Sequence, residues 1–132
     1  MQNPYDAYKT NAVFTASKEE LTLMLYDGAL KFCNQAQAAL ERKDYEKANE
    51  FMQKAQNIIK EFQATLNHKY EISAQLHAVY EYLYLRLLEA NIKKNSEALI
   101  EVRDHIRTLR DTWKEAMKIA RMSVPATRRG GA

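Results

Sequence analysis

From Leu21 to Ala36 the chain reads LTLMLYDGALKFCNQA, and at about 100° per residue its apolar side chains fall into two groups. Leu21, Leu25, Gly28, Ala29, Phe32 and Ala36 gather on one face, while Leu23, Tyr26 and Leu30 point away from it. A surface helix needs one apolar stripe. The second group therefore asks for a partner, from this chain or from another. Ser17 opens the helix, because SKEE sets Glu20 three residues after a serine in the capping-box arrangement. The pattern predicts a helix from Ser17 to about Leu40.

A second helix is expected from Asp44, a good N-cap, to about Leu66, with Ala48, Phe51, Met52, Ala55, Ile58, Ile59, Phe62 and Leu66 on one side. Glu46, Glu50, Gln53, Asn57 and Lys60 occupy the other side, so this helix is cleanly amphipathic. After NHKYE, Ser73 is the expected cap of a third helix that reaches about Lys94. Its core stripe is Ile72, Leu76, Val79, Tyr80, Leu83, Leu87 and Ala90. Ala78, Tyr82, Leu85 and Ile92 lie far around the wheel from that stripe, a second apolar surplus. Ser96 is the expected cap of the fourth helix, whose face runs Leu99, Val102, Ile106, Leu109, Trp113, Met117 and Ala120.

The ends lack this periodicity. Residues 1–16 carry Tyr5, Tyr8, Val13 and Phe14, and Asn3 before Pro4 suits one short helical turn that sets Tyr5 and Tyr8 on a common face. That segment reads either as a frayed terminus or as a strip docked on the rest. Residues 123–132, SVPATRRGGA, read as a flexible tail. Four helices of about 22 residues with connections of roughly 3 to 8 residues pack most simply as an antiparallel up-and-down bundle. The expected fold is all-α: an N-terminal capping segment over 1–16, a four-helix bundle over 17–122, and the tail. If the first and third helices are diagonal, their surplus faces point in opposite directions, which suits a partner long enough to wrap around the bundle.

Composition agrees with one helical domain. The chain has 132 residues, with only 3 Gly and 2 Pro to supply the many turns of a sheet. One cysteine, Cys33, sits within a helical pattern, cannot form an intramolecular disulfide and reads as a packing residue in a reducing compartment. No basic and apolar leader opens the sequence, and no apolar run approaches the roughly 18 residues of a membrane span. The expectation is a soluble, cytoplasmic protein without membrane insertion.

Candidate chemistry changes little. The residues three before His68, His77 and His105 are Thr65, Ala74 and Val102, so the Glu-x-x-His ligands of a di-metal bundle are absent. Glu101 and His105 could share a metal ion but have no third ligand near them in sequence. Ser17, Ser73 and Ser96 are taken up as caps, and no glycine loop suits a phosphate. The chain reads as a non-enzyme without a cofactor. A basic flank, Arg103, Arg107, Arg110, Lys114, Lys118 and Arg121, runs along the fourth helix, and a structural, nucleic-acid or acidic-partner role through it is the alternative function. Asp104, Asp111 and Glu115 lie beside it, interleaved aromatics are missing, and the net charge is only +3, so a locally paired, solvated flank without nucleic acid is the reading adopted.

At the level of blocks, TASKEELTLMLYDGALKF resembles the signature of the flagellar secretion chaperone FliS family, and NIIKEFQATL, YEYLYLRLLEAN and VRDHIRTLRDTW are similar to that family's later blocks in order and spacing. NPYDAYKTNAVFTA resembles its N-terminal stretch with paired tyrosines, while Lys18 stands where the family often has proline. The resemblance implies a bundle that binds newly made flagellin in the cytoplasm. The bound part would be flagellin's C-terminal segment, disordered when free and helical when wrapped around the chaperone. Binding would hide the surface that drives filament polymerisation and keep the subunit competent for the flagellar type III export apparatus, whose gate is a further expected partner. Tyr5 and Tyr8 match the family's N-terminal cap. The partner-binding set expected from the residues adds Leu23, Tyr26, Leu30, Ala78, Tyr82, Leu85 and Ile92.

Overall fold

The structure, a computed structural model, describes residues 16–66 and 72–123. The expected cap segment with Tyr5 and Tyr8, the turn NHKYE and the tail from residue 124 onward lie outside the described residues. Four helices follow in order: α1 (Lys18–Glu41), α2 (Tyr45–Thr65), α3 (Ile72–Lys93) and α4 (Ser96–Ser123). α1 packs on α2 and α4, and α3 packs on the same two, which leaves α1 and α3 diagonal. The cross-links fix the directions. Asn91 reaches Asn49 and Gln63 reaches Glu81, so α2 and α3 run oppositely. Trp113 meets Glu19 and Arg110 meets Asp27, so α4 runs against α1. This is the expected all-α antiparallel bundle.

Capping chemistry sets the helix starts. Ser17 Oγ accepts from the Glu20 N–H at 3.1 Å, and Asp44 Oδ1 accepts from the Lys47 N–H at 3.1 Å; both caps were legible in the sequence. Two expected caps are corrected. Ser73 is buried inside the first turn of α3. Ser96 is the first residue of α4, and the cap is Asn95, whose Oδ1 accepts from the N–H groups of Glu97 at 2.9 Å and Ala98 at 3.3 Å. Where Asn and Ser are adjacent, either can cap. The α1–α2 and α3–α4 turns share one device, a lysine in the left-handed region (Lys43 φ 60°, Lys94 φ 52°) followed by the capping Asp or Asn.

The core confirms the stripe read for α2, except that Phe51, Ile58 and Leu66 are half-buried, and the stripe for α4 through Ile106. In α4, Leu109, Trp113 and Met117 are half-buried and Ala120 is exposed, because the stripe continues past the end of the bundle. Ile72, expected in the α3 stripe, is 57% exposed.

α1 differs most from expectation. Its buried line is Tyr26, Ala29, Leu30, Cys33, Ala36 and Leu40, while Leu25 and Phe32 are half-buried on its shoulder. Tyr26 and Leu30, expected to face outward, are core residues at 4% and 5% exposure. The cause lies in the small side chains. Ala29, Cys33, Ala36 and Ala39 of α1, and Ala48 and Ala55 of α2, are fully buried, so close helix approach is made through alanines and the bulkier Leu25 and Phe32 are displaced to the edge. Phe32 there stacks on Phe51 at 6.5 Å between centroids, with Lys54 Nζ over both rings. Tyr26 instead spans the bundle. Its ring lies 4.5 Å from that of Phe62, Phe62 lies 5.2 Å from Tyr80, and the Tyr26 and Tyr80 hydroxyls share a hydrogen bond of 2.7 Å. The second apolar face of α1 is thus covered within the chain.

Gly28 has no conformational need to be glycine, since it lies mid-helix, and a Cβ there would meet only the terminal methyl of Ile58, at 3.4 Å. That methyl can rotate aside. Gly28→Ala is expected to raise stability by about 0.5–1 kcal/mol through helix propensity, measured by urea denaturation; a lower midpoint would show that the α1–α2 contact cannot yield.

Burial pushes the Tyr26 and Tyr80 phenols above the ordinary tyrosine range, and their shared hydrogen bond raises Tyr26 further. It also pushes the Cys33 thiol up to about 12. All three fold as neutral groups, whereas in the unfolded chain Cys ionises near pH 8.5 and Tyr near pH 10. Raised folded pKa values mean that this stabilisation is complete below about pH 8.5 and is lost as pH rises, by up to about 1.4 kcal/mol per pH unit for each group. The thermal midpoint should therefore begin to fall near pH 9 and drop more steeply above pH 10. A midpoint unchanged up to pH 11 would contradict the buried, neutral assignment.

Candidate functional site

α3 carries apolar residues on two opposite faces. Tyr80, Leu83, Leu87 and Ala90 are buried in the core. Ala78, Tyr82, Leu85, Leu88 and Ile92 lie on the far side; Ala78 is exposed, and the larger four are 48%, 52%, 37% and 73% exposed. Their spacing of three, four and seven residues keeps them in one line, and at 1.5 Å per residue that line is about 21 Å long. Leu88 joins the residues read from the sequence. It sits three after Leu85 and four before Ile92, a signal available from the wheel.

Polar contacts hold the edges of the strip. The Tyr82 hydroxyl donates to Glu101 of α4, and Arg86 Nε donates to the other oxygen of that carboxylate at 3.0 Å. Arg86 also reaches Glu89 at 2.9 Å, and Lys93 donates to Glu89 at 3.1 Å. On the opposite edge Gln63 of α2 donates to Glu81 at 2.9 Å. The hydrogen bond from Tyr82, then that from Arg86, holds the Glu101 carboxyl below the usual carboxylate range; Lys93 and then Arg86 do the same for Glu89. The Tyr82 ring is therefore anchored at its hydroxyl end while about half of the residue stays exposed. Glu101 is committed to Tyr82 and Arg86, and the described residues contain no group of three potential metal-binding side chains.

Of the other expected binding residues, Leu23 is half-buried and lines a cleft between α1 and α4, well away from the strip. Tyr26 and Leu30 belong to the core and offer no surface in this arrangement. With Tyr26 and Leu30 buried, the longest line of exposed apolar side chains among the described residues is the one on α3. The basic flank of α4 is paired in its first half. Arg103 and Arg107 contact Asp104 at 3.0 and 3.4 Å, and Arg110 contacts Asp111 and Asp27 at 3.0 and 3.3 Å. No helix among the described residues is long and apolar enough to cross a membrane.

The described residues thus form a four-helix bundle with an exposed apolar strip along one helix, its edges held by side-chain contacts. The chain matches the family model described as flagellar protein FliS over residues 1–120. It is 50% identical over 121 residues to the flagellar secretion chaperone FliS of Bacillus subtilis (strain 168), covering 92% of this chain and 91% of that one. It is 33% identical over 110 residues to the Escherichia coli (strain K12) protein of the same name, covering 81% of each, and 31% identical over 119 residues to that of Campylobacter jejuni, covering 87% and 93%. The chain belongs to the FliS family of flagellar secretion chaperones, which is a chaperone family and not an enzyme family.

Proposed function

We propose that this protein is a cytoplasmic export chaperone for flagellin and that the outer strip of α3 receives flagellin's C-terminal segment. The observation that carries the reading is the position of the strip. Tyr82, Leu85, Leu88 and Ile92 stand directly opposite the core face of the same helix, so they add nothing to the bundle's own interior. These side chains are 37–73% exposed, so burying the remainder of each would contribute roughly half of the 1.5–3 kcal/mol of a whole side chain, in sum of the order of the cost of ordering a segment that folds as it binds. Such a segment would lie as an amphipathic helix along α3, matching its line of anchors. Covered in this way, it could not enter filament contacts prematurely and would stay competent for the flagellar type III export apparatus, whose gate is the second proposed partner. Tyr5 and Tyr8 are assigned to an N-terminal cap that gives way when flagellin arrives. No nucleotide or cofactor is needed, because affinity alone performs the task.

Titration calorimetry of the full chain with a flagellin C-terminal peptide, at low and at high salt, tests this. Apolar docking predicts binding that changes little between the two salts. Absence of binding, or a steep loss of affinity with salt of the kind charge-driven association shows, would contradict it.

A further inference from the structure

α4 outlasts its neighbours. With 28 residues against 24 for α1, it continues beyond the points where Trp113 Nε1 donates to the Glu19 carbonyl at 3.0 Å and Arg110 meets Asp27 at 3.3 Å. Between its last turns and the first turns of α1 lies an open, shallow cleft of about 470 Å³. Leu23 and Met117, both half-buried, and the exposed Met122 form its apolar part. Lys114, Lys118 and Arg121 of α4 rim it, facing a single carboxylate, Glu20. These three cations succeed one another at spacings of four and three on one helix face. Unlike Arg103, Arg107 and Arg110, they make no ion pair among the described residues.

We infer that this cleft is a second docking site, for an acidic amphipathic helix of a partner protein other than the cargo. The excess of positive charge selects an acidic segment. The apolar floor selects one that also carries leucine-like side chains, which a nucleic acid does not offer. The cleft belongs to the α1–α4 edge and the strip to α3, the diagonal partner of α1, so both can be filled at once. A chaperone with two such sites can hold its cargo while being held itself. The inference does not depend on what binds α3.

The test uses the full chain and a labelled 15-residue probe peptide with leucines at i, i+3, i+4 and i+7 and glutamates between them, followed by fluorescence anisotropy. A twin peptide carries lysine in place of glutamate. The acidic peptide is expected to bind at least about tenfold more tightly than its twin, and Lys114→Glu combined with Lys118→Glu to weaken it by about tenfold or more, consistent with two reversed charge contacts. Both lysines are exposed, so helicity should match wild type, and Leu85→Asp should leave the affinity unchanged. Equal binding of the two peptides, loss through Leu85→Asp instead of the lysine reversals, or no binding of the acidic peptide would each overturn the inference. So would binding of anionic vesicles or duplex DNA that the lysine reversals abolish while the acidic peptide fails to bind.

Discussion

Tyr26→Ala should be among the most damaging single substitutions in the bundle, lowering stability by about 3–5 kcal/mol, as large aromatic truncations in cores do. The ring is 4% exposed, stacks near Phe62 and reaches through it to Tyr80 on the diagonal helix. Truncation would open a cavity where α1, α2 and α3 meet and would strand the Tyr80 hydroxyl. Tyr26→Phe separates the two contributions. It keeps the ring and should cost about 1–3 kcal/mol, the penalty of a buried hydroxyl left without its partner. Adding Tyr80→Phe removes the stranded group, so the double variant should be less destabilised than the sum of the singles. Urea denaturation of wild type, the three single variants and the double variant checks this. Additive costs would mean that the two hydroxyls are satisfied independently. A Tyr26→Ala variant as stable as wild type would return Tyr26 to the surface, where the helical wheel set it.

That wheel shows where sequence reasoning ends. α2 and α4 have one apolar stripe each, so their buried faces were legible, as were the caps at Ser17 and Asp44. On α1 two apolar groups compete, and the choice between them rests on neighbours. The alanines at 29, 36, 39, 48 and 55 permit a close approach, and only the position of Phe62 and Tyr80 shows that Tyr26 can cross the interior. A single-helix projection contains neither fact. Met117 and Ala120 illustrate a second limit, since a period tells which side of a helix is apolar but not where the helices beside it stop. On α3 the surplus was legible because its two faces are opposed and its core face is continuous. The exposed residues of its outer face are those named from the sequence, with Leu88 added, while Ile72, assigned to the core face, is exposed at the helix start. The contacts that fix Tyr82, from Glu101 and through it Arg86, span two helices and required the fold.

The second large effect concerns binding. Leu85 and Ile92 are 52% and 73% exposed and face away from the core, so an aspartate at either position costs the bundle little. In a complex that buries the strip, each would place a carboxylate without a partner in an apolar contact, a penalty of several kcal/mol. Leu85→Asp with Ile92→Asp should therefore weaken association with the flagellin C-terminal segment by at least about a hundredfold, which corresponds to about 2.7 kcal/mol. Leu23→Asp is a less clean probe, because Leu23 is half-buried against α4 and lies on the other edge of the bundle.

The most direct test of the α3 strip is this dissociation constant, measured by titration calorimetry for wild type and the Leu85→Asp, Ile92→Asp double variant, with circular dichroism of both. A hundredfold or greater loss of affinity at unchanged helicity is the predicted result. Equal affinity of the two proteins would contradict the account.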